Sequence, residues 1–195
     1  MPPVLGAFSL DRVVNAVEKV RQRLLRAAAA LGAAGVPYAV AGGNAVALWV
    51  SRVDESAVRN TQDVDILLRR ADLPAATRAL GAAGFLYRRA GGLDIFLDAS
   101  DPKPRNAVHI VFANEKVRPE EALPNPDTTE SEPTEFYRVI SLRALVQIKL
   151  TAFRRKDQVH LQDLISLDLV DAGWLPRFPP ELASRLQILL NDPNG

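Results

Sequence analysis

The chain has 195 residues, 48% hydrophobic and 24% charged, with a formal net charge of +1 and no cysteine. That length supports one full core with a small helical appendage, and the composition is that of a soluble globular protein rather than a disordered one. No global field draws in nucleic acid or an anionic membrane, so a polyanion must be held by a local patch. Disulfides, thiolate zinc sites and cysteine nucleophiles are excluded.

In chain order, Ser9 can cap a long helix reaching about Ala34, with Val13, Val17, Val20, Leu24, Leu25, Ala28 and Leu31 as its apolar stripe and Gly35 as a left-handed stop. Val36 to Ala41 reads as a strand ended by Gly42-Gly43. Asn44 to Val50 then has helical composition, and Arg52 to Gln62 reads as a polar loop. Asp63 to Leu68 is the next strand. Asp72 is placed to cap a helix over Leu73 to Ala83, closed by Gly84. Phe85 to Ala90 and Leu93 to Asp98, joined by Gly91-Gly92, carry a hairpin signature.

Val108 to Ala113 is a further strand. Glu115 to Glu135, acidic and with four prolines, reads as a long surface loop. Phe136 to Ile140 returns as a strand. Ser141 caps a helix from Leu142 to about Arg154, another runs from Lys156 to Ala172 until Gly173, and Pro180 to Leu190 is the last. This order predicts an α/β (α+β) mixed sheet with helices on one face. Its expected divisions are a core over 1–114 that includes the N-terminal helix, the loop over 115–135 and a helical region over 136–195 packed on the core.

Two aspartates carry the chemistry. Asp63 and Asp65 stand at i and i+2 of a strand, so both carboxylates project from one face. A packed core has no use for two like charges side by side, whereas a divalent cation has. Solvated acids on an edge strand are the alternative, and Val64, Ile66 and Leu68 argue against full exposure. The Gly42-Gly43 pair before a helix N-terminus lets backbone amides approach an anion, although many such turns use glycine only for packing. Neither a Walker lysine nor a G-x-G-x-x-G spacing accompanies it.

Tyr38-Ala39-Val40-Ala41-Gly42-Gly43-Asn44-Ala45, followed by Arg59-Asn60-Thr61-Gln62-Asp63-Val64-Asp65-Ile66-Leu67, resembles the glycine-pair and Asp-x-Asp signature of the nucleotidyltransferase superfamily related to DNA polymerase β. The Arg-x-Thr-x-Asp-x-Asp wording is similar to the AbiEii-type nucleotidyltransferases, toxins of type IV toxin–antitoxin systems. Leu145 to Leu150 with Lys149, then Arg154-Arg155-Lys156-Asp157 and Asp163-Leu164, is similar to that group's Lys…Arg-x-Lys-Asp…Asp-Leu pattern. The resemblance spans about Val36 to Val170.

The resemblance implies that Gly42 and Gly43 contact an NTP, with Arg154 beside them, and that Asp63 and Asp65 hold Mg²⁺. It further implies that Lys149 contacts the triphosphate and that Asp163 orients that neighbourhood. The chemistry would be transfer of a nucleoside monophosphate to an acceptor hydroxyl, with pyrophosphate leaving. RNA as acceptor and a cognate antitoxin protein are the partners it suggests; no DNA and no membrane partner is expected. The opening MPPVLGAFSL lacks the basic region of a signal peptide and no run reaches the roughly 20 apolar residues of a bilayer span, so a cytoplasmic protein is expected.

One position departs from the superfamily pattern. A third carboxylate is usual on a neighbouring strand, and Ala107-Val108-His109-Ile110-Val111-Phe112 puts His109 there. His109 can ligate a metal, act as a base, or be a hydrogen-bonded histidine at the sheet edge; Asp94 and Asp98 are possible substitutes for the acid. A catalytically degenerate protein that binds a nucleotide or a protein partner is therefore the rival reading. Lys156, His160 and Asp163 share a helix face and read as a surface ion-pair ladder. Lys149 could equally be a snorkelling surface lysine, and Arg154-Arg155-Lys156 either meets phosphate or RNA or is a solvated helix junction. Trp49 and Trp174 are read as packing residues.

Overall fold

The computed structural model describes residues 10–192. Seven strands form one sheet: β1 (Tyr38–Ala41), β2 (Val64–Leu68), β3 (Phe85–Ala90), β4 (Leu93–Asp98), β5 (Ala107–Phe112), β6 (Ser131–Pro133) and β7 (Arg138–Ile140). Their spatial order is β3-β4-β5-β2-β1-β7-β6. β2 runs parallel to β5 and β1 parallel to β7, and every other pairing is antiparallel, so the sheet is mixed as expected. The helices are α1 (Leu10–Ala33), α2 (Gly42–Ser51), α3 (Leu73–Ala82), α4 (Leu142–Ala152), α5 (Arg155–Ser166) and α6 (Pro180–Asn191).

Helices cover both faces of the sheet rather than one. Val64, Ile66 and Leu68 of β2 pack against Leu24, Ala27, Ala28 and Leu31 of α1 and Ala76 and Leu80 of α3. Leu67, from the same strand, joins a second core with Val46 of α2, Leu145 of α4, Leu161 of α5 and Leu186 of α6. The cause is visible in Val64-Asp65-Ile66-Leu67-Leu68, which is apolar on both faces after its one acid. Such a strand must be covered twice.

The second core also crosses the expected boundaries. β7 lies directly beside β1, and β6 forms inside the stretch assigned to loop. That stretch is pinned rather than free: Arg69 makes two hydrogen bonds to Asp127, Arg70 makes two to Glu115 while lying over the Phe112 ring, and buried Asn125 donates to the Phe112 carbonyl.

Local signals account for most element ends. Gly91 and Gly92 both adopt positive φ, as a two-residue hairpin turn demands. Ser141 caps α4 by accepting from the Ala144 amide. Two ends differ from expectation. Asp72 makes no capping hydrogen bond; it ends a short 3-10 turn leading into α3. α5 stops at Ser166 instead of continuing to Ala172, because Asp168 turns left-handed (φ 56°) and the Leu169 amide bonds the Leu164 carbonyl. That is a Schellman stop with aspartate in the usual glycine position. The Ser9 cap lies outside the described residues. Among those described, no helix is long and apolar enough to cross a membrane.

Candidate functional site

β1 delivers the chain into α2 through Gly42, whose φ is +62°. A Cβ built there would stand 1.8 Å from Oδ2 of Asp65, and one at Gly43 would stand 2.7 Å from Oγ1 of Thr61. The glycine pair is thus a seat for the residues that precede and open β2. Pairing of Ala41 with Asp65 fixes this level across the sheet. The approach to Asp63 is held by Asn44 of α2, whose Nδ2 donates to the Asp63 carbonyl at 2.7 Å; Thr61 Oγ1 reaches the same oxygen at 3.4 Å.

Above this seat is a cavity of about 720 Å³, within the range that accommodates a nucleotide-sized ligand. α4 and α5 form its basic wall. Lys149 is only 4% exposed and pairs at 3.1 Å with Asp157, which is fully buried. Asp157 also accepts from the Arg154 amide at 3.2 Å and the Arg154 Nε at 2.7 Å. Burial pushes the Lys149 ammonium below its ordinary value, against the pull of Asp157. Burial alone would raise Asp157, but Arg154 and Lys149 outweigh it and hold the carboxyl below its usual range.

His109 lies level with Asp65 on the adjoining strand, its Nδ1 3.7 Å from Asp65 Oδ1. The Asp65 carboxylate raises the imidazole above its ordinary value, with burial opposing. β5 is interior, between β4 and β2, so His109 is not at a sheet edge.

Two solved structures share this architecture. An antigenic nucleotidyltransferase-like protein from Paracoccidioides brasiliensis aligns at a TM-score of 0.55 and 14% identity, over 91% of this chain and 90% of its own. A protein of H. pylori described as a candidate nucleotidyltransferase aligns at 0.50 and 16% identity, over 95% of this chain and 80% of its own. The chain has a nucleotidyltransferase-like fold. A scan of protein-family models and a search of curated proteins each find no match, so the AbiEii-type resemblance rests on the motifs alone.

On this nucleotidyltransferase-like fold, Gly42, Gly43, Asp63, Asp65, His109, Lys149, Arg154 and Asp163 all line the one cavity. Their relations differ in part from those expected. Asp163 accepts from Arg59 Nε at 2.8 Å and so ties the loop before β2 to α5. The residue that orients Lys149 is Asp157, one place beyond the basic cluster. Its position three residues after the Arg154 cap, where it returns a bond to the cap amide, was the available signal.

His160 is not part of a solvated ladder either. It is half-buried in the cavity wall, its Nδ1 has no partner, and burial beside Lys149 lowers it to about 4. Asp94 and Asp98 fail as substitutes for a third acid. Asp94 pairs in register with Ile110 and accepts from the Tyr87 hydroxyl, and Asp98 is bound by Arg26 of α1, which places both on the opposite face from Asp65. Trp49 and Trp174 pack against the second core, as expected.

Asp63 and Asp65 are the residues of this cavity that could ligate a divalent cation. Both line the cavity, and the Asp65 carboxylate fills the space a Gly42 side chain would take. Among the described residues, no group of three or more His, Cys, Asp or Glu side chains is placed to hold a metal ion. Magnesium suits such a site because it completes its shell with substrate phosphates and water.

Proposed function

We propose that this protein transfers a nucleoside monophosphate from an NTP to an acceptor hydroxyl in a Mg²⁺-dependent reaction. The observation that carries the reading is the convergence, in one cavity, of a carboxylate seated on bare Gly42 and a buried Lys149 locked by Asp157. In the reaction the acceptor oxygen bonds to the α-phosphorus, the bond from that phosphorus to the pyrophosphate oxygen breaks, and the hydroxyl proton is lost to water. A bound cation would neutralise charge on the phosphates and orient them. The Gly42-Gly43 turn seats Asp65 and Thr61 at the cavity, and the anchored Lys149 and Arg154 offer positive charge to the departing pyrophosphate without reorganising. Asp63 and Asp65 would hold the cation.

RNA as acceptor, a toxin role and an antitoxin partner are supported by the motif resemblance. One observation favours a second reading, a nucleotide-binding protein without turnover: the residue level with Asp65 on β5 is His109, not a carboxylate. Incubation with labelled NTPs, Mg²⁺ and total RNA is expected to label RNA, and Asp65→Asn to abolish labelling. Nucleotide binding with no label on any acceptor selects the second reading. No melting shift with any NTP and Mg²⁺ overturns both.

A further inference from the structure

The acids of the cavity can be assigned one by one. Asp157 is committed to Lys149 and Arg154, Asp163 to Arg59, and Glu121 accepts from the Val117 amide. Asp94 lies on the far face, bonded by Tyr87. Only Asp63 and Asp65 are left to face a ligand. Across the sheet at the level of Asp65 the register reads Ala41, Asp65, His109, Ile95 over β1, β2, β5 and β4. One step further up the same face it reads Ala39, Leu67, Val111. Among these described strand residues, Asp65 is the only one with a side-chain oxygen donor.

Two-cation phosphoryl-transfer sites place their ions about 3.5–4 Å apart, one on the attacking and one on the leaving oxygen. The second ion would here meet Asp65 shared with the first, plus an imidazole. Mg²⁺ prefers oxygen and near-ideal octahedral geometry, so that set is a poor one.

The geometry points to a one-cation site: a single divalent ion enters with the NTP on Asp63 and Asp65, and His109 keeps a second from assembling beside Asp65. This inference rests on the nucleotide-binding reading above. It concerns how many ions accompany the bound nucleotide, and the proposed transfer would proceed with that single cation.

Equilibrium dialysis of Mn²⁺ against the full chain tests it, using the α,β-methylene analogue of whichever NTP gives the largest melting shift. The expected result is one Mn²⁺ per bound nucleotide at saturation. Mn²⁺ tolerates nitrogen ligands better than Mg²⁺, which makes a count of one the more demanding outcome. His109→Asp is expected to raise the count to two, and His109→Asn to leave it at one. Two ions on the unchanged protein, or one ion on a folded His109→Asp variant, overturns the inference while leaving nucleotide binding intact. Should His109→Asp fail to fold, the counts for the unchanged protein and His109→Asn decide. Absence of any retained nucleotide overturns both this inference and the reading beneath it.

Discussion

Gly42 and Gly35 share the same backbone requirement and differ in what surrounds them. Both have positive φ, +62° and +65°, yet a Cβ at Gly42 would meet the Asp65 carboxylate and one at Gly35 would meet nothing within 4 Å. Gly35→Ala is therefore expected to lose about 1–2 kcal/mol of stability from left-handed strain and to keep its melting shift with NTP and Mg²⁺. Gly42→Ala is expected to lose that shift, since Asp65 must leave its seat. The Lys149–Asp157 pair behaves differently. Removing one member leaves the other buried without its partner, so Asp157→Leu should cost about 3–5 kcal/mol in urea unfolding. Adding Lys149→Met to that variant should recover part of the loss; no recovery would mean the cost lies in the lost Arg154 contacts instead. The two glycines and the Asp63/Asp65 spacing were legible from residue type. The burial of Asp157 against Lys149 was not, because a buried acid and a solvated one are the same letter until the cations around it are placed.

At the scale of elements, α5 shows where local signals end. Its apolar pattern runs on through Leu167 and Leu169, but the Asp168 stop sends Val170 into the second core. Asp168 is exposed and left-handed, so Asp168→Gly is expected to stabilise the protein by about 1 kcal/mol, measured by urea unfolding. The hairpin at Gly91-Gly92 and the Ser141 cap were readable because one residue type enforces each geometry. The helix end at Asp168 was not, since aspartate is far less specific for the left-handed position than glycine.

For the whole molecule, the titrating groups give a directed pH dependence. His160 is lowered to about 4, so the unfolded chain takes up its proton first as pH falls. Its contribution is present above about 6.5 and is lost between there and about 4. Asp157, Asp127 and Glu115 are each held below their ordinary values by arginine partners or by nearby positive charge, in Asp157 against the opposing effect of burial. Their contributions are present above the unfolded carboxyl range and fall away below about 4. Thermal melts from pH 8 to 3 should show two successive declines in Tm, and His160→Gln should remove the upper one. An unchanged upper decline in that variant would exclude His160 as its source.

The sequence by itself determined most of the order of strands and helices along the chain, β6 excepted, with the Asp-x-Asp pair and the glycine turn, because period, turn chemistry and capping are short-range properties. Val64-Asp65-Ile66-Leu67-Leu68 even contained the need for cover on both faces, an apolar residue on each side of one strand. Only the tertiary structure decided which cations and acids pair. It gave Lys149 to Asp157 and Asp163 to Arg59, and it set His109 level with Asp65. Arg59 and Asp163 lie 104 residues apart and Lys149 and Asp157 only eight, but in each case strand register and helix docking, not spacing along the sequence, bring the partners together.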